Sequence, residues 1–124
     1  MTDLQLLGGT AHAGTLYGIG VGPGDVRYLT LRAAALVAAV DVVAYFAKRG
    51  HQGNARRIVD QLMAPGRAEI RFEYPVTDEI PAESADYQRQ IGDFYRRTAD
   101  TLGNLVRDGK SVGLLAKGDP FFYG

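Results

Sequence analysis

Thr15-Leu16-Tyr17-Gly18-Ile19-Gly20-Val21-Gly22-Pro23-Gly24-Asp25 is the stretch on which the architecture turns. Its first seven residues are apolar or β-forming, read as a short strand, and run straight into a glycine loop. Gly18, Gly20, Gly22 and Gly24 fall at every second position. Without side chains there, backbone can approach a ligand closely. Pro23 fixes its own φ and offers only a carbonyl, which makes a rigid lip rather than a donor-rich cradle. A glycine-rich turn that binds nothing fits the same residues. Two better-known phosphate loops do not. A dinucleotide fingerprint needs glycine at 23 or 25, where Pro23 and Asp25 stand. Gly109-Lys110-Ser111 has the tail of a P-loop, but Asn104 occupies the earlier glycine position and the triplet precedes a strand.

Working outward, Thr30 is an N-cap and opens a helix over 31–40. Leu31, Ala34, Ala35, Ala38 and Ala39 make a small-residue face, with Leu36, Val37 and Val40 beside it. A helix this apolar must pack closely against a sheet. Asp41-Val42-Val43-Ala44-Tyr45-Phe46 is an apolar run without alternation, as expected of a parallel strand buried on both faces. A helix capped by Asn54 follows, carrying Ile58, Val59, Leu62 and Met63 and stopped by Pro65-Gly66. Residues 69–74 form a weaker strand because charges alternate with Ile70 and Phe72, and 75–81 form a loop. The strongest periodicity lies over 85–108. Tyr87, Ile91, Phe94, Tyr95, Thr98, Leu102, Leu105 and Val106 recur at helical spacing, and Gly109 stands where a left-handed C-cap belongs. Residues 111–116 are a buried strand that leads into Gly118-Asp119-Pro120. Alternating strands and helices predict an α/β domain, a mainly parallel sheet flanked by helices. A parallel strand ending at 116 needs a crossover to cover it, so the polypeptide is expected to continue past Gly124. Residues 1–13 read as a flexible amino-terminal arm.

The 124 residues suit one domain with a real core. Lys plus Arg equals Asp plus Glu at 14 each, so the overall field gives no sign of a nucleic-acid partner or an anionic membrane surface. Cysteine is absent, which removes disulfides, thiolate metal sites and a cysteine nucleophile and favours a cytoplasmic setting. No signal-peptide pattern opens the chain, and its longest apolar stretch, 33–40, is too short to cross a bilayer. His12 and His51 have no partners at metal-ligand spacing, so no metal is expected.

Both glycine loops, 18–25 and 118–124, stand at the carboxyl ends of predicted strands, the edge where open α/β sheets bind ligands. Asp119 beside Gly118 and Pro120 either makes an Asx-turn or serves a ligand. Phe121, Phe122 and Tyr123 either pack under a further helix or line a flat apolar ligand. The sequence G-T-L-Y-G-I-G-V-G-P-G-D-V-R-Y-L-T from Gly14 to Thr30, and G-D-P-F-F-Y-G from Gly118 to Gly124, resemble the two signature loops of the tetrapyrrole methyltransferase family. The likeness spans nearly the whole chain. Tyr45-Phe46-Ala47-Lys48-Arg49-Gly50, Gly53-Asn54-Ala55-Arg56 and Tyr74-Pro75-Val76-Thr77 look like the branch that methylates precorrin-2 at C-20 in cobalamin biosynthesis.

The resemblance implies the amino-terminal domain, residues 14–124, of a two-domain enzyme that holds S-adenosylmethionine between its halves. It implies that Gly20, Gly22, Pro23, Gly24, Gly118, Asp119 and Pro120 border this methyl donor, and that the whole enzyme is a homodimer. Transfer from a sulfonium to an electron-rich macrocycle needs alignment and desolvation more than covalent catalysis, so no side chain is assigned as catalytic. A polycarboxylate tetrapyrrole calls for cations: Lys48 and Arg49 are the preferred pair, with Arg56 and Arg57 nearby and Tyr123 as a ring contact. Each of these cations also fits a solvated basic face. Two alternatives stand beside this reading: the cobalt-factor II enzyme of the anaerobic route, and a ligand-binding half-domain inactive alone. The chain departs from related uroporphyrinogen methyltransferases at Phe46, where they carry aspartate, and it has Ala116-Lys117 where the precorrin-2 branch is expected to have a cysteine-glutamate pair.

Overall fold

The computed structural model describes residues 11–22, 24–75 and 84–116. Four strands, β1 (Leu16–Gly20), β2 (Val42–Ala47), β3 (Ala68–Glu73) and β4 (Val112–Ala116), form one sheet in the order β1-β4-β2-β3. All three pairings are parallel. The helices are α1 (Leu31–Ala39), α2 (Asn54–Ile58) and α3 (Ala85–Arg107), with single 3-10 turns at Val26–Tyr28 and Asp60–Leu62. The α/β reading is therefore what is observed.

The chain crosses the sheet one way from β1 to β3 and then returns to place β4 between β1 and β2. Right-handed crossovers put helices on opposite faces when the direction of travel reverses. Two separate cores follow. On one face Ile19, Val43, Tyr45, Ala47 and Leu115 of the strands meet α1 and α2. On the other, Val42, Ala44, Phe72 and Val112 meet Phe94 and Leu102 of α3. The unalternating run of β2 is explained by this: its odd and even residues serve different cores, as a strand covered on both sides must.

Caps end the helices where their sequence signals stand. Thr30 Oγ1 accepts from the Ala33 amide at 3.0 Å, and Ser84 Oγ accepts from the Tyr87 amide at 3.0 Å. Gly109, with φ 87°, closes α3 in a Schellman pattern: its amide donates to Val106 and the Lys110 amide donates to Leu105. The buried stripe of α1 differs from the small-residue face read in the sequence. Ala33, Ala35, Leu36, Val37 and the C-cap Val40 are buried, so of that face only Ala35 is fully covered, whereas Leu31 and Ala38 are exposed. Larger aliphatics bury more apolar area, so they take the sheet-facing side.

The cap of α2 is also corrected. Gly53, not Asn54, is the N-cap, with φ 93° and no side-chain bond, and Asn54 is the first helical residue. A Cβ on Gly53 would lie 2.9 Å from the Phe46 carbonyl oxygen. Only glycine lets the chain fold back so tightly on the end of β2.

Arg67 explains how α1 ends without a glycine. Its guanidinium donates to the carbonyls of Val37, Ala38 and Val40 at 2.9, 3.2 and 2.6 Å. A cation at a helix C-terminus satisfies orphan carbonyls and complements the helix dipole.

Candidate functional site

Because the sheet is parallel, the carboxyl ends of all four strands lie along one edge. β1 and β4 are neighbours there, with Gly20 opposite Ala116. The Val21 amide donates to the Ala116 carbonyl at 2.9 Å and carries the pairing one step beyond β1. The glycine loop after β1 and the chain leaving β4 thus start side by side, although nearly the whole sequence separates them.

Gly20 ends β1, and Gly22 and Gly24 follow in the turn. Gly22 has φ 83°, and a Cβ on it would sit 3.3 Å from the Tyr28 carbonyl oxygen. Gly24 has φ 150° with nothing within 4 Å of where its Cβ would be. The loop is therefore pressed against its own turn at Gly22 and open at Gly24. Asp25 closes the loop by accepting from the Arg27 amide at 2.8 Å and from its guanidinium at 2.8 Å. Those bonds from Arg27, the side-chain one foremost, hold the Asp25 carboxyl below its usual range. Tyr28 and Leu31, just after the loop, are 67% and 59% exposed. Pro23, Gly118, Asp119, Pro120 and Tyr123 lie outside the described residues.

Lys48 and Arg49 stand in the turn after β2, on the same edge and exposed. The Arg49 Nε donates to Glu73 at 3.2 Å, while the Lys48 ammonium has no partner among the described residues. The other two cations read from the sequence behave differently. Arg57 is exposed on α2, but Arg56 is buried. It donates to Glu69 at 3.2 and 3.3 Å and to Asp60 at 2.9 Å. Burial opposes its charge, yet those bonds outweigh burial and leave its pKa raised. Arg56 ties α2 to β3 and is not available to a ligand. The Tyr45 hydroxyl donates to the same Glu69 at 3.1 Å. Burial first, then that bond, push the phenol pKa up and keep Tyr45 protonated.

β3 is thus two strands in one. Glu69, Arg71 and Glu73 on one face form a charge ladder with Arg56 and Arg49. On the other face Phe72 joins Phe46, Tyr74, Phe94 and Tyr95 in a ring cluster, with centroid distances of 5.4–6.1 Å. Phe46 touches the other four rings, so this position serves packing in this chain. Among the described residues no group of His, Asp and Glu could hold a metal ion, and no helix is long and apolar enough to cross a membrane.

A parallel sheet with a glycine loop at its carboxyl edge agrees with the family comparison. Residues 15–124 match the model of the Tetrapyrrole (Corrin/Porphyrin) Methylases, and the chain belongs to that family. It is similar to a precorrin-2 C(20)-methyltransferase of Sinorhizobium sp, 43% identical over 111 residues. That alignment covers 90% of this chain and 45% of the relative. A cobalamin biosynthesis protein CobIJ of Mycobacterium bovis is 38% identical over 110 residues, 89% of this chain and 22% of the relative. A siroheme synthase of Pseudomonas paraeruginosa is 34% identical across all of this chain and 23% of its own length. The chain spans less than half the length of each of these relatives.

Proposed function

We propose that this chain is the amino-terminal half of an S-adenosylmethionine-dependent enzyme that methylates C-20 of precorrin-2. One observation carries the reading most: the β1–β4 pairing, extended by the Val21–Ala116 bond, sets the strand ends that lead toward both signature loops side by side on one edge. The similarity to the Sinorhizobium protein supports the choice of substrate and ring position.

The loop geometry fits a methyl donor of this kind. S-adenosylmethionine supplies, when bound, an electrophilic methyl on a sulfonium. Gly20, Gly22 and Gly24 leave the edge without side chains, so backbone groups can meet the donor directly. Pro23, Gly118, Asp119 and Pro120 complete that border in this reading. Tyr28 and Leu31 stand beside the loop as apolar surface that excludes water near the reacting centre. Lys48 and Arg49 face the peripheral carboxylates of the substrate, arginine by its fork and lysine as a point charge. Tyr123 adds a ring contact. The complete enzyme is a cytoplasmic homodimer in this reading, which sedimentation of the extended protein checks.

The deciding experiment joins this chain to the remaining carboxyl-terminal part of the Sinorhizobium relative. The fusion and the chain alone are each incubated with methyl-labelled S-adenosylmethionine and either precorrin-2 or cobalt-factor II, and products are read by mass and carbon NMR. Label at C-20 from the fusion establishes the reaction. Label only on the cobalt-loaded ring transfers the assignment to cobalt-factor II. A folded fusion that moves no methyl to either ring refutes the proposal.

A further inference from the structure

We infer that Arg71, a residue of the edge strand with no assigned part in ligand binding, positions Lys48 and Arg49 for the carboxylates of a tetrapyrrole. The inference rests on the reading of those two cations as substrate contacts. Arg71 pairs with Tyr45 across the β2–β3 ladder, two residues before either strand ends. Its side chain is 31% exposed, and its Nη2 donates to the Lys48 carbonyl at 2.7 Å. The same carbonyl accepts from the His51 amide at 3.0 Å, so one oxygen anchors the whole turn.

On its other side the Arg71 Nε lies 3.8 Å from Glu73 Oε2, while Glu73 Oε1 accepts from Arg49 Nε at 3.2 Å. Arg71 Nε makes no hydrogen bond, so charge attraction across that gap, with the Glu73–Arg49 bond, links the turn carbonyl to Arg49. Glu73 thus lies between two guanidiniums, bonded to Arg49 and attracted to Arg71. Only the Nε edge of Arg49 is engaged, which leaves its two amino groups without hydrogen-bond partners among the described residues. Those groups form the edge that meets a carboxylate in paired fashion.

Remove Arg71 and two things change together. The Lys48–His51 turn loses its strongest anchor, because a charged donor to a carbonyl outweighs a neutral one. Glu73 is then left to Arg49 alone, and the pair closes on itself. Both effects lower affinity for carboxylates while sparing the sheet, because Arg71 lies on the charged face of an edge strand and outside both cores.

The test uses the full chain in two arms. In the first, amide hydrogen exchange is followed without ligand. Arg71→Met should speed exchange of the His51 amide about ten-fold or more, with the amides of β1 and β4 unchanged. In the second, the Soret band of an octacarboxylate porphyrin (uroporphyrin) and of a tetracarboxylate one (coproporphyrin) is titrated. Arg71→Met should weaken the former about five-fold and the latter less, with Arg71→Lys recovering part of the loss. A change of fold would weaken both probes alike. Unchanged exchange at His51 overturns the positioning inference whatever the titration gives. Faster exchange, with affinity lost in Lys48→Ala and Arg49→Ala but kept in Arg71→Met, overturns it too. If neither Lys48→Ala nor Arg49→Ala alters affinity, or the unaltered chain binds neither porphyrin, the cation reading itself fails, and with it the functional part of the inference.

Discussion

Replacing Gly113 by alanine should destabilise the domain by about 1–2 kcal/mol, and the loss should be recoverable at a second named residue. Gly113 sits in the middle of β4, paired with Tyr17 on one side and Val43 on the other. An added Cβ would lie 2.7 Å from Ile19 Cδ1 and 3.2 Å from Val40 Cγ2. Carbon atoms pack comfortably at about 3.5 Å, so the isoleucine terminus must retreat by roughly 0.8 Å. Ile19 is 1% exposed and Val40 3%, so little free space surrounds the collision. Overpacking of this kind costs about 1–3 kcal/mol. Against it, alanine restricts the unfolded chain and returns about 0.4–1 kcal/mol. Ile19→Val removes the offending Cδ1; alone it should cost about 0.5–1.5 kcal/mol by leaving a small cavity. Combined, the two changes should cost clearly less than their sum, with a favourable coupling of about 1 kcal/mol. Urea unfolding followed by far-UV circular dichroism reads all four members of the cycle. A neutral Gly113→Ala, or strict additivity with Ile19→Val, would refute the packing argument.

At Gly53 the obstacle is backbone. With φ 93° and the Phe46 carbonyl 2.9 Å from the added carbon, Gly53→Ala should cost about 2–3 kcal/mol, seen as a fall in thermal midpoint. An unchanged midpoint would mean that the turn adopts another shape. Arg56→Met should cost about 1–3 kcal/mol in denaturant unfolding because three charge-assisted bonds are lost. Arg56→Lys should recover less than half of this, since an amine cannot reproduce the fork. Porphyrin affinity should be the same in both variants, and an affinity loss without a stability loss would return Arg56 to the ligand site. Asp41 gives a pH signature. Its carboxylate accepts from the Ser111 amide at 2.9 Å, and the bonds from Ser111, the backbone one foremost, lower its pKa in the folded state. A carboxyl with a depressed folded pKa stabilises fully above its unfolded value, near 3.8, and loses that contribution as pH falls through the lower folded one. Asp41→Asn should therefore flatten the acid limb of the stability profile below about pH 4 and leave its shape near neutrality unchanged. An unaltered acid limb would remove Asp41 from the account.

The architecture was legible because its signals are local and agree with one another. The helical period over 85–108, Thr30 before α1, and the two-sided apolar run of β2 each point to the element observed. The small-residue face of α1 misled because periodicity identifies an apolar face but does not rank two adjacent ones. The choice fell to Leu36, Val37 and Val40, which bury more area. Asn54 misled for a different reason. It is a good cap by side-chain chemistry, yet the chain must fold back against the Phe46 carbonyl one residue earlier, and only glycine fits there. The tie from Arg56 to Glu69 was invisible, because Glu69 lies on β3 and no spacing rule links the two, whereas its other partner Asp60 stands at i+4. The charges that weakened β3 as a strand in the sequence are the same ones that form this ladder.

Strand order, more than either loop motif, is what assembles the candidate site. If the chain had continued outward from β3, β4 would have paired at the far edge, and its carboxyl end would lie three strands from Gly20. The return of α3 across the opposite face inserts β4 beside β1 instead. That insertion needs a strand with little bulk toward α1, since Ile19 and Val40 already fill the space, and Gly113 supplies it. It also needs a long helix with an apolar stripe to cover the second face, which Phe94, Thr98 and Leu102 provide. The bond from Val21 to Ala116 then holds the end of β4 against the first residue beyond β1. Gly113 thus supports the site without touching it, by leaving room for β4 to pack beside β1 against Ile19 and Val40.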